Sequence, residues 1–206
     1  MPPKAKFMRA QLQEAALGIV DREGLPALSM RSLAGALGTG PMTLYNYVRD
    51  RDDLDALVVE AVLAEVRLPR EKGDWRADVT AIVEATWRTV RRHPNVIPLV
   101  LTRRTLHETT LVWAEALLRS LARSGRSGAD LLVAFRTVSG FVMGFAQAQL
   151  ADPLTPDEDR ADIARAKALP TERFPHLIEI AGAAAKLGAD REFRAGLDIV
   201  MAGLAR

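Results

Sequence analysis

Apolar residues recur along this chain at intervals of three and four, and almost nowhere in strict alternation, so the pattern predicts helices and almost no strand. From Met8 to Glu23, Leu12, Ala15, Ala16, Ile19 and Val20 form one stripe that stops at Gly24. Leu33, Ala34 and Leu37 form a second. It opens behind Ser29, a good N-cap, and closes at Gly38, where a helix can end in a left-handed residue at little cost. Pro41, with only two residues between, suits the first turn of a new helix because its missing amide would be unpaired there anyway. Leu44 and Val48 follow, four apart. A fourth helix over about 53–67, capped by Asp50 or Asp52, turns Leu54, Leu57, Val58, Ala61 and Val62 inward, and LPREKGD at 68–74 is the clear linker. Beyond it the spacing predicts helices over about 75–92, 106–124, 128–150, 172–187 and 190–205. A turn region surrounds His93, Pro94 and Pro98, and the polar run ADPLTPDEDR at 151–160 breaks the pattern.

Residues 29–51, SMRSLAGALGTGPMTLYNYVRDR, combine two short helices with a break too short to be a linker. That is the layout of a helix-turn-helix, whose second helix enters the DNA major groove. Leu44 and Val48 can pack on the first helix, whereas Met42, Thr43, Tyr45, Asn46 and Tyr47 cannot all be buried with them, and these are the groove-facing candidates. Thr43 and Tyr45 carry hydroxyls able to donate to phosphate oxygens, contacts that fix register without reading sequence. Tyr47 can reach a phosphate or a base edge, or pack its ring between helices. Arg31 can form the bidentate pair with guanine, or stay solvated. Gly40, Pro41 and Met42 have no side-chain donors, so the front of this helix reads by backbone and apolar contact. Arg51, with Arg49, is placed at the far end of the helix, where a cation suits both the helix dipole and the DNA backbone.

Charge supports this division modestly. Through residue 51 there are seven Lys or Arg against four Asp or Glu, and the remainder holds 21 against 22, within a total net charge of +2. A slightly basic N-terminal module on a near-neutral body fits a DNA reader with a separate sensor. Hydrophobic residues make up 49% of the 206, ample for a packed core, and the absence of cysteine excludes disulfides and thiolate metal sites. No apolar run approaches the roughly eighteen residues of a spanning helix and the start, MPPKAKFMRA, has no secretory core, so the expected location is cytoplasmic.

The motif residues resemble the TetR family of bacterial transcriptional regulators. The resemblance is carried by Ser29, Arg31, Leu33-Ala34, Leu37-Gly38, Thr43-Leu44-Tyr45, Tyr47, Val48 and, where relatives have Lys, Arg51. It implies an all-α chain with two domains. Residues 1–67 would form a three-helix helix-turn-helix DNA-binding domain with its connecting helix, and 68–206 a helical ligand-binding and dimerisation domain. It also implies contact with a palindromic double-stranded operator, a homodimer, a small-molecule effector and repression as the default output. In relatives, N-terminal basic residues of the first helix touch DNA, a role open to Lys4, Lys6 and Arg9.

Small residues on the helix over 128–150, including Gly140 and Gly144, would let a second helix approach closely. Phe193, Leu197, Val200 and Leu204 form a stripe on the last helix, and both sets are dimer candidates. Trp87, Trp113, Phe141 and Phe145 lie on helices that line the pocket in relatives, with Arg104, His107, Thr137 and Gln147 as polar anchors. The body resembles the tetracycline-repressor type of sensor, but its metal-ligand places fall by ungapped matching on Val100 and Ala148, which cannot ligate. A largely apolar effector without a metal is therefore expected, with no cofactor.

An enzyme is not expected. His93, His107 and His176 lack metal-ligand spacing, Ser139 lacks the Gly-x-Ser-x-Gly setting, and Asp157, Glu158 and Asp159 sit in the polar run. The alternative reading is a helical scaffold or adaptor whose helix-turn-helix binds protein.

Overall fold

The computed structural model describes residues 7–102, 107–150, 156–184 and 186–205. Every regular element among them is helical. The N-terminal unit, Met1–Ala151, holds eight α-helices: α1 (Arg9–Glu23), α2 (Met30–Ala36), α3 (Pro41–Leu44), α4 (Arg51–Ala64), α5 (Trp75–Val90), α6 (Ile97–Thr102), α7 (Glu108–Ala122) and α8 (Gly128–Leu150). The unit Asp152–Arg206 holds α9 (Pro156–Lys167), α10 (Pro175–Ala184) and α11 (Ala189–Gly203).

The head forms as the spacing dictates. α1 buries Leu12, Ala16, Leu17, Ile19 and Val20. Ser29 caps α2 in a reciprocal box with Ser32: each hydroxyl takes the other residue's amide, at 3.0 and 2.9 Å. Gly38 at φ +61° turns the chain out of α2, and the Thr39 amide closes back on the Ala34 carbonyl at 2.9 Å. That left-handed residue is why the break fits into so few residues.

α4 departs from the predicted half-buried helix. Ten consecutive residues, Leu54 to Leu63, are buried, because α1 covers one side while α5, α6 and α7 cover the rest. The helix is capped by Asp50, whose carboxylate accepts the Asp53 amide at 2.8 Å. Contacts made by α4 on both sides join the first eight helices into one unit, and the break in contacts falls at Ala151–Asp152. The segment 68–74 is held rather than slack. Asp78 accepts the amides of Lys72 and Gly73 at 2.8 and 3.2 Å and a 2.6 Å bond from Arg123, the residue that ends α7.

Two helices lie where the pattern gave none. Pro98, read as part of a turn, occupies the first turn of α6, where a proline is tolerated. Pro156 opens α9 in the same way, so Asp157, Glu158 and Asp159 belong to a helix and not a loop. No apolar stripe announces α9. Acids at its start and Arg165 and Lys167 at its end suit the helix dipole, and it packs on α10.

α8 buries Ala134, Val138, Val142 and Ala146 against its neighbours. By length and composition alone, 128–149 could cross a membrane, contrary to the expectation that no run approaches that limit. Asp130, Arg136, Thr137, Ser139 and Gln147 interrupt its apolar residues, so the run is not unbroken.

α11 corrects the dimer stripe. Phe193, Leu197 and Met201 are buried within the single chain, with Val200 and Leu204 half-buried. Ile199, 75% exposed, marks the outward side. Phe193 and Leu197 therefore belong to the core and are not available to a partner.

Candidate nucleic-acid interface

Burial of Leu33, Ala34, Leu44 and Val48 fixes which side chains the α2–α3 pair presents. Ser29, Arg31, Gly40, Pro41, Met42, Tyr45 and Asn46 are exposed, and Thr43 is half-buried. Met42 is 79% exposed and Tyr45 52%, so both side chains are open to a partner at this surface. α3 is a single turn, continued by turns over 45–47 in which the amides of Tyr47 and Val48 both bond to the Leu44 carbonyl at 2.8 and 2.9 Å. Asn46 reaches back to the Thr43 carbonyl at 3.4 Å.

The candidate cations differ in availability. Arg31 makes no ion pair or side-chain hydrogen bond among the described residues. Arg49 forks onto Asp53, with Nε to Oδ2 at 2.7 Å and Nη2 to Oδ1 at 3.1 Å. The Arg49 side chain and backbone amide hold the Asp53 carboxyl down to about 2, and the same pairing raises the Arg49 guanidinium. Arg51 is the first residue of α4 and not the end of the preceding helix, so the expected dipole benefit does not apply. It is tied instead to buried Asp55, with Nε to Oδ1 at 2.8 Å, and to the Leu28 carbonyl at 2.5 Å.

Tyr47 is half-buried, its hydroxyl accepting the Phe7 amide at 3.2 Å and its ring set edge-on to that of Phe7 at 6.2 Å. Arg9 also turns inward. It forks onto Glu60, both bonds 2.8 Å, and Gln13 adds a third at 2.8 Å. The hydrogen bond to Glu60 raises the Arg9 guanidinium against the opposing effect of burial, with the Glu60 and Asp53 charges adding to it. Glu60 and Asp55 escaped the sequence reading. The available signal was two carboxylates inside the apolar run LDALVVEAVLA, which on a helix covered all round must find cations.

In the body, Trp87 and Trp113 are buried while Phe141 and Phe145 are half-buried. Trp87 stands edge-on to Phe145 with centroids 5.3 Å apart, and Phe141 lies 5.9 Å from Phe145. Trp113 donates its indole N–H to Thr86 at 2.9 Å. His107 does not join this cluster: its Nε2 lies 3.1 Å from the Glu60 carboxylate. Thr137 and Gln147 are exposed on α8, as are Gly140 and Gly144. The spacing 137, 140, 144, 147 puts all four on one side, and space is open where a side chain on either glycine would project. Arg104, Lys4 and Lys6 lie outside the described residues, as does the side chain of Val100.

Residues 68–206 match the family model described as tetracyclin repressor-like, C-terminal domain. The chain is 35% identical over 150 residues, 72% of its length, to the HTH-type transcriptional repressor DrrR1 of Streptomyces coeruleorubidus. It is 36% identical over 147 residues, 71% of its length, to an HTH-type transcriptional regulator of Saccharopolyspora erythraea. These matches span 56% and 62% of the two relatives. Among solved structures, the Streptomyces coelicolor TetR family protein ActR in complex with actinorhodin superposes with a TM-score of 0.84, 32% identity and 96% of each chain covered.

Proposed function

The chain belongs to the TetR family of transcriptional regulators, and from that premise we propose that it is a ligand-responsive repressor of a palindromic operator. Residues 1–67 are the reader and 68–206 the sensor, working in the cytoplasm as a homodimer. The observation that carries this reading is the α2–α3 surface, where Arg31, Met42 and Tyr45 are exposed while Arg9, Arg49 and Arg51 are paired. Thr43 and Tyr45 anchor phosphates, and Arg31 is the polar reader of base edges.

The open side of α8 at Gly140 and Gly144 is the surface for a second copy. Close approach of two backbones there offsets the cost of two mid-helix glycines, about 1 kcal/mol each against alanine. Twin readers about 34 to 36 Å apart then meet successive major-groove faces. The effector is a largely apolar molecule set against the Trp87, Phe141 and Phe145 rings. The ActR complex with actinorhodin supports a small-molecule effector. Such a molecule lowers operator affinity only by its differential affinity for the two conformers, and α4, in contact with α1 and with the body, carries the change.

Selection from a pool of random DNA duplexes by the whole chain tests this function. The expected result is enrichment of a two-fold symmetric sequence. Failure to enrich any duplex would favour a scaffold that uses the same helices on protein.

A further inference from the structure

Glu60 lies at the middle of α4 with 2% of its side chain exposed. Both oxygens are fully engaged. Oε2 accepts Arg9 Nε and Gln13 Nε2, each at 2.8 Å; Oε1 accepts Arg9 Nη2 at 2.8 Å and faces His107 Nε2 at 3.1 Å. The partners come from separate elements: Arg9 and Gln13 from α1, on which α2 packs, and His107 from the residue that precedes α7 in the body. A leucine would fill this place in an otherwise apolar stretch without the desolvation of a carboxylate. The acid gives a directional junction instead, one whose strength depends on how many donors are in place.

His107 is the weakest-held of these donors, with one contact at 3.1 Å against the 2.8 Å bonds of Arg9 and Gln13. As the N-cap residue of α7 it makes no side-chain capping bond, so it serves Glu60 without being needed to start its own helix.

We propose that Glu60 is a positioning residue for operator binding. It sets α1, and with it the α2–α3 reader, against the body, and His107 is the body's handle on that setting. This rests on the DNA-reader function above. A rearrangement of the sensor that withdraws His107 leaves Glu60 short of one donor, loosens the Arg9 end of α1 and weakens the operator complex. The same contact works in reverse, so operator binding draws His107 toward Glu60.

The test compares His107→Ala, Glu60→Gln and the double variant on the duplex selected above, with thermal melting and amide hydrogen exchange alongside. His107→Ala should melt within a few degrees of the native chain, exchange faster at residues 9–13, and bind the duplex more than about tenfold more weakly, the size of one lost charge-assisted hydrogen bond. In the Glu60→Gln background the same replacement should add less than about twofold, since the junction is already impaired. A merely structural Glu60 would give independent effects. The proposal is overturned if His107→Ala binds as the native chain does, or if the two replacements are additive. Should the native chain select no duplex, the DNA-reader function fails by itself; unchanged exchange at residues 9–13 in His107→Ala would then overturn the junction separately.

Discussion

Phe193→Ala should destabilise the chain by about 3–5 kcal/mol, the usual cost of emptying a fully buried aromatic site. The ring is completely enclosed and shares its face of α11 with Leu197 and Met201, so removal leaves a cavity that these two cannot both close. Chemical denaturation followed by circular dichroism measures this, with an expected fall in midpoint and little change in slope. A variant of native stability that sediments at half the native mass would instead place Phe193 on a dimer surface.

Tyr45→Ala should leave stability nearly untouched and reduce operator affinity by about thirtyfold. The side chain is 52% exposed, and no hydrogen bond to its hydroxyl is present among the described residues, so little is lost within the fold. A hydrogen bond to phosphate contributes about 1 kcal/mol, and a dimer loses two, which multiply to this factor. Fluorescence anisotropy on the selected duplex gives the affinity, and melting gives the stability. Equal affinity for variant and native chain would move the phosphate contact elsewhere.

The helix stripes were readable because each needs one buried face, and periodicity reports that directly. The periodicity of α4 marks such a face, yet neighbours on every side bury the helix, and a periodic pattern cannot register cover that arrives from helices distant in sequence. α9 has the opposite problem: its helix rests on end charges and on α10, with no stripe to detect. The prolines at 98 and 156 punctuate the sequence like turns but occupy first helical turns, where proline is accepted.

At the reader, residue types indicated which side chains could touch DNA but not which were free to do so. Arg51 and Arg31 are the same residue type in the same short motif, and only the positions of Asp55 and the Leu28 carbonyl separate them. His107 suited a ligand anchor by its place on the pocket helices, while the structure gives it to Glu60, a residue 47 positions earlier in the chain. Phe193 and Leu197 formed a true apolar stripe, but a stripe at a chain end serves a core as well as a partner.

The most direct test of a DNA reader built on α2–α3 is the affinity for the selected duplex across a series of salt concentrations, for the native chain, Arg31→Ala and Tyr45→Ala. Each phosphate neutralised by a cation contributes about −0.9 to the log–log slope. The native slope should be negative, because contact of the basic N-terminal module with DNA releases counterions. Tyr45→Ala should shift the whole line to weaker binding at the same slope, because a neutral donor releases no counterion, while Arg31→Ala should weaken the preferred sequence more than an unrelated one. A flat native line, or lines for both variants that fall on the native one, would contradict DNA recognition by this surface.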